Sequence, residues 1–226
     1  MEKLGSIAAN RLAEVGRIPG KLNNRMGLQK KSVLMNAQTR LCRNMMRRRA
    51  QAVREATPVA CRAVWEEAII GHLDSLVAQL APRVLAFCWP FRAEVDCRKW
   101  VECWLAGDVA RIAALPVVVG EDAPLVFRCW RPGTELALDR YGIQFPVHGE
   151  EVTPDVALVP LNAFDARGYR LGYGGGYFDR TLAVMRMVAV GVGFELGREN
   201  DALPQAHDYA MDWLVTEAGV FPGVRG

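Results

Sequence analysis

The amino-acid sequence predicts an α/β domain built on a mostly parallel sheet covered by helices on both faces. Two observations carry this. Short, nearly all-apolar runs alternate with stretches of helical period, the order that builds a parallel sheet buried on both faces. The chain has 226 residues, 51% hydrophobic and 23% charged, which suits one large domain or at most two small ones. That composition excludes a disordered tail protein or a fibre.

Residues 1–30 contain Gly5, Gly16, Pro19, Gly20 and Gly27 without a sustained 3.6-residue period. They read as a loose extension ahead of a domain over 31–226. Residues 32–56 hold neither Gly nor Pro and many strong helix formers among their arginines, which predicts a basic, mostly exposed helix. Thr57 before Pro58 reads as the N-cap and first position of an amphipathic helix ending near Pro82. Residues 83–89 (RVLAFCW), ended by Pro90, read as a first strand, and residues 96–106, stopped by Gly107, as a helix. Residues 111–119, 125–130 and 155–160 follow as strands, 177–186 as a helix, and 187–194 and 213–216 as strands.

No apolar run of 18 residues free of charge occurs, and charges interrupt the N-terminus too early for a secretory apolar region. The expectation is a cytoplasmic protein with no membrane partner. Cys42, Cys61, Cys88, Cys97, Cys103 and Cys129 form no C-x-x-C pair, which points to neither a zinc site nor a disulfide framework. His72, His148 and His207 are too dispersed for histidine-rich metal chemistry. The net charge of +3 divides into +11 over residues 1–62 and −8 over the remainder. Such a leader is either a solvated helix face or an arm for nucleic acid or a membrane surface.

In open α/β sheets ligands bind beyond the carboxyl ends of the strands, so the loops after Trp89, Pro160 and Phe194 matter most. The second contains NAFDARGYRLGYGGGYFDR, residues 162–180. Gly172, Gly174, Gly175 and Gly176, just before a predicted helix, let backbone N–H groups converge on an anion, although such clusters also occur as plain flexible turns. Arg170 can add a charge-assisted phosphate contact, Asp179 a carboxylate for magnesium, and Tyr173 and Tyr177 flat surfaces. The segment is neither a Walker A loop nor a dinucleotide fingerprint. After the first strand, Glu94 and Asp96 can bind a polar heterocycle or simply serve the next helix. His207 and Asp208 can complete a metal or phosphate site or stand as surface polar residues.

The string DVALVPLNAFDARGYRLGYGGGYFDR resembles the signature of the 5-formyltetrahydrofolate cyclo-ligases, also called methenyltetrahydrofolate synthetases. The basic helix, EVD after the first strand, LPVV, FR, YGI, GVGF and the His-Asp ahead of WLVTE extend the similarity over about residues 38–219. The resemblance implies a single three-layer α/β domain. It also implies MgATP-dependent conversion of 5-formyltetrahydrofolate to 5,10-methenyltetrahydrofolate through an N5-iminium phosphate. It carries catalytic roles to Arg170, Tyr177 and Asp179. ATP contacts fall on Arg40, Arg43, Arg170, Leu171, Gly172, Tyr173, Gly174, Gly175, Gly176, Tyr177 and Phe178. Reduced-folate contacts fall on Trp89, Glu94, Tyr173, Gly174, Gly175, Gly176 and Tyr177, and magnesium on Asp179 and Asp208. A monomer without a nucleic-acid partner is expected.

Three positions depart from the family pattern: Thr39 where lysine is common, Phe145 before Pro146, and Asn162 where an apolar residue is usual. The competing readings are a catalytically lapsed member binding nucleic acid through residues 17–62, and the same fold serving a sugar phosphate or CoA ester.

Overall fold

The computed structural model describes residues 20–225, with side chains from residue 34 onward. The chain divides into two compact units, Met1–Cys42 and Arg43–Gly226. The first contains the upstream part of helix α1, Gly20–Ala56. This helix starts twelve residues before the predicted boundary near Ser32. Gly27 is tolerated because one interior glycine costs only about 1 kcal/mol against the good formers around it. The reading of residues 1–30 as loose, and the start of the proposed nucleic-acid arm, lie largely outside the described residues.

In the second unit, α1 hands over to α2, Val59–Leu80. Pro58, not Thr57, occupies the N-cap position, and it makes no side-chain cap bond. Thr57 instead closes α1, its hydroxyl donating to the Val53 carbonyl at 2.8 Å. The fixed φ of Pro58 and its free carbonyl, which accepts from the Cys61 and Arg62 amides, start the new helix without a polar cap. The helix ends at Ala81, whose N–H still reaches the Val77 carbonyl while its left-handed φ of 44° turns the chain out of the helix.

The remaining elements are β1 (Val84–Ala86), α3 (Arg98–Ala106), β2 (Ile112–Val117), β3 (Val126–Trp130), β4 (Leu136–Leu138), β5 (Gln144–Pro146) and β6 (Glu151–Val152). They continue as β7 (Val156–Pro160), β8 (Ala163–Phe164), β9 (Arg170–Leu171), α4 (Tyr177–Val184), β10 (Val188–Val192), a 3-10 turn (Glu195–Gly197), β11 (Trp213–Thr216) and β12 (Gly219–Pro222). Eight strands form one sheet in the order β12-β11-β10-β7-β1-β2-β3-β6. The five from β11 to β2 are parallel, while β12, β3 and β6 pair antiparallel at the edges.

Successive residues of these strands enter different layers. Leu85, Leu115, Leu158 and Val190 pack with Ile69, Leu73 and Val77 of α2 and Val101 of α3. Their neighbours Ala86, Ala114, Val159 and Ala189 face Leu182 of α4 with Phe164 and Met211. Strand residues alternate faces, so covering both makes every position apolar. Each fully buried Leu, Ile or Phe contributes roughly 1.5–3 kcal/mol. This is the expected three-layer domain, and among the described residues no helix is long and apolar enough to cross a membrane.

Candidate active site

The parallel register brings the loops after β1, β7 and β10 to one edge of the sheet. The loop after β7 folds back through the β8–β9 hairpin and enters Gly172–Gly176, directly ahead of α4. Gly174 and Gly176 have φ of 102° and 67°, left-handed values that a side chain resists, and Gly176 stands at the N-cap of α4. The free amides of the first turn therefore face an open cleft of about 530 Å³ lined by Gly174–Gly176, Asp179, Arg180 and His207. Arg180 braces the rim, donating to the Gly175 and Glu121 carbonyls at 2.9 Å each.

Asp179 lines this cleft from the first turn of α4. Its Oδ1 accepts from Arg170 at 3.0 Å and from the Tyr209 amide at 3.1 Å. Arg170 is itself buried, reaches the Tyr209 carbonyl and lies over the Phe178 ring, so it buttresses Asp179 from behind. Leu171 is fully buried, leaving only its backbone for any ligand. Tyr177 is at the lip: its hydroxyl meets Tyr141 at 3.1 Å and Arg140 at 2.8 Å, both from the β4–β5 hairpin that the sequence reading missed.

Asp208 is held differently. Arg43 grips both its oxygens, and the Gln205 amide donates to Oδ2 at 2.7 Å. Both side chains are buried. Burial pushes the Asp208 carboxyl upward, but the Arg43 fork and the Gln205 N–H outweigh it, leaving the group below its ordinary value of 3.8. A depressed carboxyl stabilises the fold above its unfolded value, and that contribution is lost as pH falls through the folded one. In Asp208→Asn the buried Arg43 charge is left uncompensated, with an expected loss of about 3 kcal/mol at neutral pH. Urea unfolding at several pH values checks this. Below 3.8 the difference between wild type and variant narrows; a constant difference would refute the assignment.

Arg40 is exposed and belongs to the upstream unit. Arg47, one turn after Arg43, was not singled out from sequence, yet its Nε donates to the Gly172 carbonyl at 2.9 Å. Burial, then the neighbouring Arg43, lowers its basicity. Its i, i+4 spacing from Arg43 was the available signal. Among the described residues no group of three or more His, Cys, Asp or Glu gathers to hold a metal. The donor set fits a magnesium ion bound chiefly by phosphate oxygens with one carboxylate, Asp179. Asp208 is engaged by Arg43 through both oxygens.

Glu94 and Tyr173 form a second centre. The Tyr173 hydroxyl donates to Glu94 Oε1 at 2.8 Å, and the Phe91 amide donates to Oε2 at 3.1 Å. Burial raises the Glu94 carboxyl above its ordinary value, against the opposing effects of Tyr173, Arg54 and the Phe91 amide. Burial and the adjacent Glu94 likewise raise the Tyr173 phenol. Asp96 is the acid that serves α3, accepting the Arg98 amide at 3.0 Å. A cavity of about 20 Å³, room for a single water, lies beside Glu94 between Cys88, Cys97 and Pro160. The aromatic ring against Tyr173 is Phe91, at 5.6 Å between centroids. Trp89 instead meets Trp130 edge to face at 6.3 Å, with Arg98 over its ring.

A sequence model of the 5-formyltetrahydrofolate cyclo-ligase family matches residues 33–217. The 5-formyltetrahydrofolate cyclo-ligase of Mycolicibacterium smegmatis is 32% identical over 176 residues, 72% of this chain and 87% of that protein. That of Escherichia coli strain K12 is 33% identical over 145 residues, 61% of this chain and 76% of that protein. The NMR structure of Aquifex aeolicus 5,10-methenyltetrahydrofolate synthetase has a TM-score of 0.70 at 30% identity, covering 81% of this chain and 93% of that one.

Proposed function

Because the chain belongs to the 5-formyltetrahydrofolate cyclo-ligase family, we infer that it closes 5-formyltetrahydrofolate to 5,10-methenyltetrahydrofolate at the expense of ATP. The observation that carries this reading is the pair of adjoining centres: a glycine cradle with Asp179 at its lip, and the Glu94–Tyr173 pair joined to it through the same loop. The first suits a triphosphate and the second a heterocycle rich in N–H groups.

The formyl oxygen attacks the γ-phosphorus of ATP, the N5 lone pair moves into the new C=N bond, and ADP leaves. N10 then attacks the activated carbon, phosphate departs with the C–O bond electrons, and the N10 proton is lost. No protein nucleophile is required, because phosphoryl transfer depends on alignment and charge neutralisation. The Gly174–Gly176 backbone and the α4 amides receive the phosphates, and Arg47 adds positive charge beside them. Asp179 would hold magnesium, which neutralises charge on the β- and γ-phosphates when bound. Arg170 keeps that carboxylate aimed into the cleft, and Glu94 accepts hydrogen bonds from the pteridine. Tyr177 closes the lip.

The test is a spectrophotometric assay with 5-formyltetrahydrofolate, magnesium and ATP, following the methenyl chromophore and ADP together. One ADP per methenyl product, and none without ATP, is the expected result. ATP binding without product would assign the site to another substrate.

A further inference from the structure

Arg54 of α1 is 2% exposed, among the most completely buried large side chains described. Its Nε donates to the Arg92 carbonyl at 3.0 Å, one terminal nitrogen to Asn162 Oδ1 at 2.7 Å, and the other to the Tyr173 hydroxyl at 3.0 Å. None of these acceptors is charged. A buried cation served only by neutral partners is costly, and structures retain one where a compensating charge stands close by. Here that charge is Glu94, one hydroxyl away.

The geometry dictates the direction of the relay. Guanidinium has donors and no acceptor, so the Tyr173 oxygen must accept from Arg54 and spend its single proton on Glu94. The same guanidinium ties together three loops: the one after β1, where Arg92 and Ala93 take left-handed φ of 48° and 58°, the one after β7 at Asn162, and the glycine loop at Tyr173. Asn162, the departure from an apolar position, supplies an acceptor that an apolar side chain lacks.

We propose that Arg54 is a positioning residue that sets Glu94 for the folate through Tyr173 and joins the folate centre to the nucleotide loop. The proposal rests on the function inferred above. Groups facing Glu94 are Tyr173, Arg54 behind it, the Phe91 amide, and the Cys88 and Cys97 thiols. Burial pushes the Cys97 thiol up to about 12 and raises Cys88 as well, so both stay neutral and add no charge beside Glu94.

The experiment compares wild type with Arg54→Gln and Tyr173→Phe by two readouts. Carbon-13 NMR titration of the Glu94 carboxyl in the unliganded protein, assigned with Glu94→Gln, needs no turnover. Both variants should titrate at higher pH than wild type, because each removes a group that favours the carboxylate. In steady state, KM for 5-formyltetrahydrofolate should rise about tenfold, the size of one lost hydrogen bond to a charged group, while KM for ATP changes far less. A purely structural Arg54 would lower the melting temperature and active fraction and leave the Glu94 midpoint and both KM values alone. A wild-type midpoint and folate KM in both variants overturns the proposal. If Arg54→Gln fails to fold, Arg54→Lys takes its place: a single ammonium cannot serve Arg92, Asn162 and Tyr173 together, so the folate KM should still rise, and an unchanged folate KM overturns the proposal. A shifted midpoint in a protein that never turns over formylfolate would refute the inferred reaction and leave the positioning role standing.

Discussion

Asp179→Asn is expected to lower kcat for ATP-dependent methenyl formation by on the order of 10²–10³-fold, the range for removing one preorganised electrostatic group. The variant is nearly isosteric. Its side-chain oxygen can still accept from Arg170 and from the Tyr209 amide, the two contacts that Asp179 makes at 3.0 and 3.1 Å. Losing the charge leaves the buried Arg170 uncompensated, so urea unfolding should show a loss of about 3 kcal/mol, as for Asp208→Asn, while the activity of the variant that remains folded still falls. Raising magnesium should recover part of the rate, because a weakened ligand is partly offset by mass action. Wild-type activity in this variant would remove Asp179 from the metal and leave it the structural partner of Arg170. Activity is therefore compared under conditions where both proteins are fully folded.

Gly197→Ala should be the most destabilising small change near the site. Gly197 ends the 3-10 turn after β10, and a Cβ there would come 2.2 Å from the Asn162 carbonyl oxygen. That neighbour is backbone and cannot swing aside. The seam is also held by the Phe164–Arg198 bridge and by Arg198 lying over both Phe164 and Phe221. Separating it should cost about 3 kcal/mol or more, the upper end for overpacking. Urea titration should show a lower midpoint at unchanged slope. Asn162 would move with the seam, so the hydrogen bond it accepts from Arg54 should weaken as well. A loss within about 0.5 kcal/mol would mean that the two loops are less closely apposed than described.

Much of the sheet was legible because both faces of a parallel sheet are buried, so residues 155–160 and 187–194 are apolar nearly throughout. The β4–β5 and β8–β9 hairpins and β12 were not, since strands of two to four residues are too short to show a period. The missed β4–β5 hairpin matters most to the site, because its tip carries Arg140 and Tyr141 to Tyr177. The predicted first strand over 83–89 was longer than the paired segment Val84–Ala86, because the apolar run continues into the loop that delivers Glu94.

By itself the sequence determined the layers, the family and the glycine cradle, all consequences of residue types within a turn or two of one another. Only the tertiary structure decided which charges are spent and which remain free. Arg43, Arg47, Arg48, Arg49 and Arg54 are equivalent along the chain. Folded, Arg43 is consumed by Asp208, Arg47 meets the glycine loop, Arg48 is exposed, Arg49 pairs with Glu199, and Arg54 is buried against Asn162 and Tyr173. Those partners lie more than a hundred positions away along the chain. The energy of a buried ion is set by what desolvates and pairs it, and no local pattern of residues carries that information.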